Sequence, residues 1–210
     1  MAYRDFKMDD LEAKFGIREI GTSFLNVLTI KRIEPTDKLK SDILEARLIT
    51  LSTEKAVSER LVTPVLAEMK KLNDEFLQIF SGEIIQGDKA QGLNGKIDFI
   101  MSKTPETSKP KNPIFCITEA KLGLVESAYP QATAQMLGIR AFNKSRGHEI
   151  PIVHGAATDG KTWRFLKLDG TTLYIDKTEF SSLDLPLLLG ALQEIVDFYI
   201  NTGNFGNLYF

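Results

Sequence analysis

This 210-residue chain has little of what several function classes require. It has one cysteine, Cys116, so no internal disulfide can form. Its only histidines are His148 and His154, and with a single cysteine they argue against a structural zinc site. No run approaches the roughly 18 apolar residues of a membrane span, and the first residues have no apolar signal core. A cytoplasmic protein with no membrane partner is therefore expected. Gly87, Gly92 and Gly95 are not followed by Gly-Lys-Ser/Thr, which leaves an NTPase phosphate loop unsupported.

Strong charge of either sign is also missing. The formal net charge is −2, which does not suggest a basic nucleic-acid binder. The distribution is uneven, however. Residues 169–210 carry six acids and one base, leaving 25 bases against 22 acids in residues 1–168. A mildly basic body with an acidic tail is compatible with a locally basic groove.

Ordinary globular chemistry is present: hydrophobic residues make up 43% and charged residues 26% of the chain. That length and composition suit one domain with a real core. Acids in the first turn point to a helix at 8–15. Residues 23–33 are β-branched and apolar, compatible with strand or helix, and 37–50 suit a helix. The spacing of Val57, Leu61, Val65, Leu66, Met69 and Leu72 predicts a helix over 53–72, with Thr53 as N-cap and a kink or break at Pro64.

Strands are expected at 76–85, around Asp98, at 113–118, 150–157, 162–168 and 172–176. The segment 103–112 reads as a loop between antiparallel strands. After a turn at 123–128, Pro130 opens a helix to about Lys144, with Ala132, Met136, Ile139 and Phe142 available for burial. A last amphipathic helix covers 183–200, with Asp184 as cap. Its stripe of Leu185, Leu188, Leu189, Leu192, Ile195 and Val196 suits either a core or a homodimer interface. This order fits an α/β fold with a mixed central β-sheet flanked by helices.

Three short stretches carry the chemistry. Asp98 lies in the apolar run Ile97-Asp98-Phe99-Ile100-Met101, and Glu119 and Lys121 close the run Ile114-Phe115-Cys116-Ile117-Thr118. Acids and a lysine at strand positions cost stability unless they are paired or bind a cation. Residues i and i+2 of a strand share a face, so Glu119 and Lys121 point together. If the two runs are neighbours, Asp98 joins them. Two carboxylates and an ammonium then suit Mg²⁺ beside a water molecule. The third stretch, Gln131 to Gln135, puts two amides on one helix face. E-x-K alone has a plain alternative, a salt bridge at a strand edge. Glu59 and Glu68 on the early helix have one too, as a solvated face.

Together these motifs resemble the PD-(D/E)XK, or restriction-endonuclease-like, nuclease superfamily, over residues 53–168 in element order. Asp98 matches the acid of the second core strand, with Ile97 where the family often has Pro. Glu119-Ala120-Lys121 matches E-x-K. Glu59 falls where many members place an extra acid. Gln131 matches the Gln of Gln-x-x-x-Tyr, with Gln135 where that motif has Tyr.

The resemblance implies a single nuclease-like domain over 1–210, with its core at about 53–168, an N-terminal extension at 1–52 and a C-terminal hairpin and helix at 169–210. It implies a Mg²⁺-dependent nuclease, with Mn²⁺ as a substitute, acting on nucleic acid and by expectation DNA, in restriction, repair or mobile-element biology. Asp98, Glu119 and the Ala120 carbonyl would hold the metal. Lys121 would orient the water, with Gln131 and Glu59 assisting. A second reading is a noncatalytic nucleic-acid-binding or assembly module that kept the fold.

Overall fold

The computed structural model describes residues 1–103, 109–111 and 113–202. Its centre is a mixed eight-stranded sheet in the order β1-β7-β6-β5-β4-β3-β2, with the short β8 paired to β6. The strands are β1 (Arg18–Thr22), β2 (Gln78–Asp88), β3 (Leu93–Ser102), β4 (Ile114–Ala120), β5 (Ile152–Thr158), β6 (Thr162–Asp169), β7 (Thr172–Asp176) and β8 (Phe180–Ser181). The helices are α1 (Met8–Phe15), α2 (Asp37–Ala46), α3 (Glu54–Val57), α4 (Thr63–Leu72), α5 (Tyr129–Lys144) and α6 (Leu185–Thr202). β3 and β4 are antiparallel neighbours, as their apolar runs suggested. β4 and β5 are parallel, joined by the crossover helix α5. The expected loop 103–112 lies largely outside the described residues.

Adjacent residues of β5 show how the layers are arranged. The His154 ring meets Phe198 and Tyr199 of α6. A Cβ on the next residue, Gly155, would lie 2.7 Å from Met136 Sδ of α5. Successive strand residues point to opposite faces, so α5 and α6 cover opposite faces of the sheet. α5 packs closely. A Cβ on Gly87 would lie 2.2 Å from the Gly138 carbonyl oxygen, and one on Gly138 would lie 2.1 Å from Tyr3 Oη. Glycine at these two positions permits that approach. Ala132, Met136, Ile139 and Phe142 are all buried, as their spacing suggested.

The early helix is capped as expected, with the Thr53 side chain accepting from the Ala56 N–H. Pro64 does not break it. A π-helical turn at Ser58–Val62 precedes the proline, and Thr63 Oγ1 donates to the Ser58 carbonyl.

One expectation needs correction, and one open alternative is decided. Residues 23–33 form neither strand nor helix. Arg18–Thr22 is a strand although its side chains are mostly exposed, because its backbone pairs in parallel with β7. The apolar stripe of α6 is buried within this chain, so it builds the core and is not a free dimer face. No helix among the described residues is long and apolar enough to cross a membrane.

Candidate metal and nucleic-acid site

β4 is buried along its whole length, and Glu119 near its C-terminal end is only 3% exposed. The β3–β4 ladder pairs Met101 with Cys116, Ile100 with Ile117, and Phe99 with Thr118. One step further, the register sets Asp98 across from Glu119. The Ala120 N–H donates to Asp98 Oδ2 at 3.1 Å, so the strand end is closed by a side chain. Asp98 Oδ1 accepts no hydrogen bond among the described residues.

Glu119 faces α5, and both its oxygens are held there. Gln131 Nε2 donates to Oε1, and Gln135 Nε2 donates to Oε2 at 2.6 Å. Both amides come from one helix face because they lie four residues apart. Gln135 is fully buried and its Oε1 has no partner. An unpaired buried acceptor is costly, so this amide is turned toward the carboxylate at the expense of its own oxygen. Position 135, where the sequence departs from the motif it resembles, is therefore occupied by a second holder of Glu119.

Lys121 lies just past the end of β4. Its N–H donates to the Thr158 carbonyl at 2.8 Å, and its Nζ pairs with Glu54 Oε1 at 3.3 Å. Glu54, in the first turn of α3, is the helix acid that reaches the site. Glu59, the expected one, does not. It is exposed and pairs along the helix with Lys55 at 3.7 Å. Lys55 adjoins Glu54, and consecutive helix residues face apart, so Glu59 shares the outward side with Lys55. The weighed alternative, Glu68, is buried elsewhere and accepts from the Thr36 N–H and hydroxyl at the start of α2. Only the Thr53 cap, which marks where the helix begins, was a sequence signal for Glu54.

The electrostatics follow from this geometry. Burial, and then the Asp98 charge, push the Glu119 carboxyl up to about 8, against the opposing pull of the Gln135 hydrogen bond and Lys121. Burial also raises Asp98, opposed by the Ala120 N–H and the charges of Lys96 and Lys121. Glu54 raises both acids further. One lysine is thus shared among three carboxylates, with Lys96 contributing at Asp98.

The donor set suits a hard cation. Asp98 offers an oxygen that accepts no hydrogen bond among the described residues, beside a carboxylate whose ionised form is penalised by burial and then by the Asp98 charge. Among the described residues no group of three or more His, Cys, Asp or Glu is positioned to hold a metal. Two carboxylates completed by backbone oxygen and water are a common way of binding Mg²⁺. No protein-family model and no curated protein matches the chain.

Proposed function

We propose that this protein is a Mg²⁺-dependent nuclease that hydrolyses phosphodiester bonds of DNA, on a restriction-endonuclease-like core. The observation that carries the reading is the meeting of two carboxylates, Asp98 from the middle of β3 and Glu119 from the end of β4, both raised by burial and Glu119 further by the Asp98 charge. In this reading Asp98, Glu119 and the Ala120 carbonyl would hold the ion, and Mn²⁺ would substitute. When bound, the ion supplies a Lewis acid for the phosphate and a water of lowered pKa. Gln131 and Gln135 fix the Glu119 carboxylate in one orientation. Lys121 Nζ, tethered by Glu54, orients the attacking water and offsets charge developing on the phosphate.

A second reading has a specific observation in its favour. Both Glu119 oxygens are already met by amides and Lys121 is already ion-paired, so the cluster is partly satisfied without a cation. A noncatalytic DNA-binding or assembly module would need no more than that.

The test is incubation of the purified protein with plasmid, linear duplex and single strands in Mg²⁺, Mn²⁺ or EDTA, alongside thermal melting. The nuclease reading expects cleavage in either metal and none in EDTA. It also expects a metal-dependent rise in melting temperature, since a cation bound only by the folded form stabilises it by mass action. That rise should vanish in Asp98→Asn. No cleavage, and no metal binding at millimolar concentration by calorimetry with and without DNA, would leave the binding-module reading.

A further inference from the structure

A cavity of about 560 Å³ opens beside the candidate site. Its volume lies within the roughly 300–1,000 Å³ of ligand clefts. It begins immediately after Lys121, because Leu122 and Gly123 line it, and it reaches under the helix that carries Glu54 through Val57 and Leu61. The aliphatic lining is of two kinds. Val57 and Leu61 form a buried floor. Leu122 and Leu183 are solvent-exposed at the rim, Leu183 at 75%.

Two cations, Arg47 and Lys161, also line the cavity, and neither is paired with an acid among the described residues. The single lining carboxylate, Asp159, is partly engaged, with Oδ1 accepting from the Lys161 and Thr162 amides.

We propose that this cavity is the subsite for one unstacked nucleotide of a bound strand, with its base among the aliphatic side chains and a phosphate at Arg47 and Lys161. The inference rests on the nuclease reading for its substrate class. The argument is complementarity. A ligand whose body has apolar faces and whose end is anionic meets both kinds of lining. An inorganic anion leaves the aliphatic floor without a purpose, and a purely apolar partner leaves two cations unpaired. Withdrawing a base from a duplex is unfavourable, and least so where it is already unpaired. Single strands and strand ends should therefore bind better than closed duplex.

The test separates this subsite from the metal site by working in EDTA. Deoxynucleoside 5′-monophosphates, the matching deoxynucleosides, inorganic phosphate and a single-stranded oligonucleotide are titrated by calorimetry into wild type, Arg47→Glu and Leu183→Asp. Both substituted residues are exposed, and melting curves check that the variants fold. The expected result is that the monophosphate binds about tenfold tighter than nucleoside or phosphate. The oligonucleotide should bind tighter still, and each substitution should weaken both by about tenfold. Phosphate binding as tightly as the monophosphate, or variants that bind like wild type, would overturn the proposal. Nucleotide binding lost in the variants of a protein that never cleaves would support the subsite while removing the nuclease reading. Cleavage by wild type with unaltered binding in both variants would do the reverse.

Discussion

β4 and β5 bury polar side chains on both of their faces, and the two groups are satisfied to different degrees. On the α6 face, Tyr199 Oη lies 2.8 Å from His154 Nδ1 and within reach of the Ile152 and Phe115 carbonyls at 2.9 and 3.1 Å. With the proton on Nδ1, the ring donates to the hydroxyl and the hydroxyl donates to a carbonyl, so the network closes without any charge. On the α5 face, Glu119 takes two amide donors and still sits against Asp98, while Gln135 Oε1 lacks a partner among the described residues. Burial lowers His154 to about 3 and raises Glu119 to about 8, so each is held toward neutrality. The difference is that a closed neutral network stabilises a fold, whereas two buried carboxylates set together oppose each other's ionisation.

The strongest way to break this comparison is to remove the chemistry from the α5 face. Glu119→Gln and Lys121→Ala should each reduce cleavage by about 10²- to 10⁴-fold, the usual scale for losing a general-base or electrostatic contribution. Melting temperature should stay close to wild type. Single-turnover cleavage of plasmid by folded variants measures it, and wild-type rates in either would end the assignment.

The next effect is pH dependence, where the two faces act with opposite sign. The Glu119 carboxyl is raised from an ordinary value of 4.5, so its stabilising contribution is complete below about 4.5 and lost as pH rises toward 8. The His154 imidazole is lowered from 6.5, so its contribution is present above 6.5 and lost as pH falls toward 3. Urea unfolding in EDTA between pH 6.5 and 8 should show stability falling with pH in wild type and a flatter line in Glu119→Gln. An identical slope in the two proteins would contradict the buried carboxylate.

Breaking the closed network tests the other half. Tyr199→Phe leaves His154 and two carbonyls without their partner, which should cost about 1–3 kcal/mol in urea unfolding. The cleavage rate per folded molecule should be unchanged. A variant that is stable but inactive would show that the α6 face takes part in the chemistry.

The smallest expected effect sharpens the boundary of the site. Glu59→Ala should change stability by no more than about 0.5 kcal/mol and leave cleavage unaltered. Glu54→Ala should release Lys121 and slow cleavage, with no comparable change in melting. Equal behaviour of the two variants would put the site's edge elsewhere.

Much of this molecule is legible from local pattern. Alternating and helically spaced apolar residues identify β3, β4, α4 and α5, because burying one face of a regular element demands that spacing. Asp98, Glu119 and Lys121 stand out because charged groups in apolar strands require a reason. Thr53 and Pro130 mark helix starts through backbone hydrogen bonding that is local by nature.

Other features depend on partners distant in sequence. β1 has no apolar period and forms because Arg18–Thr22 finds the backbone of Thr172–Asp176. Glu68 gives no local hint that it caps α2 through Thr36. The choice of Glu54 over Glu59 rests on which turn of the helix meets the end of β4. The second amide on Glu119 rests on α5 lying across β4. The sequence by itself determined the elements and the acids they carry, since propensity and periodicity are properties of neighbouring residues. Only the tertiary structure decided which acids, amides and lysine meet, since those contacts are set by strand pairing and helix packing across the whole chain.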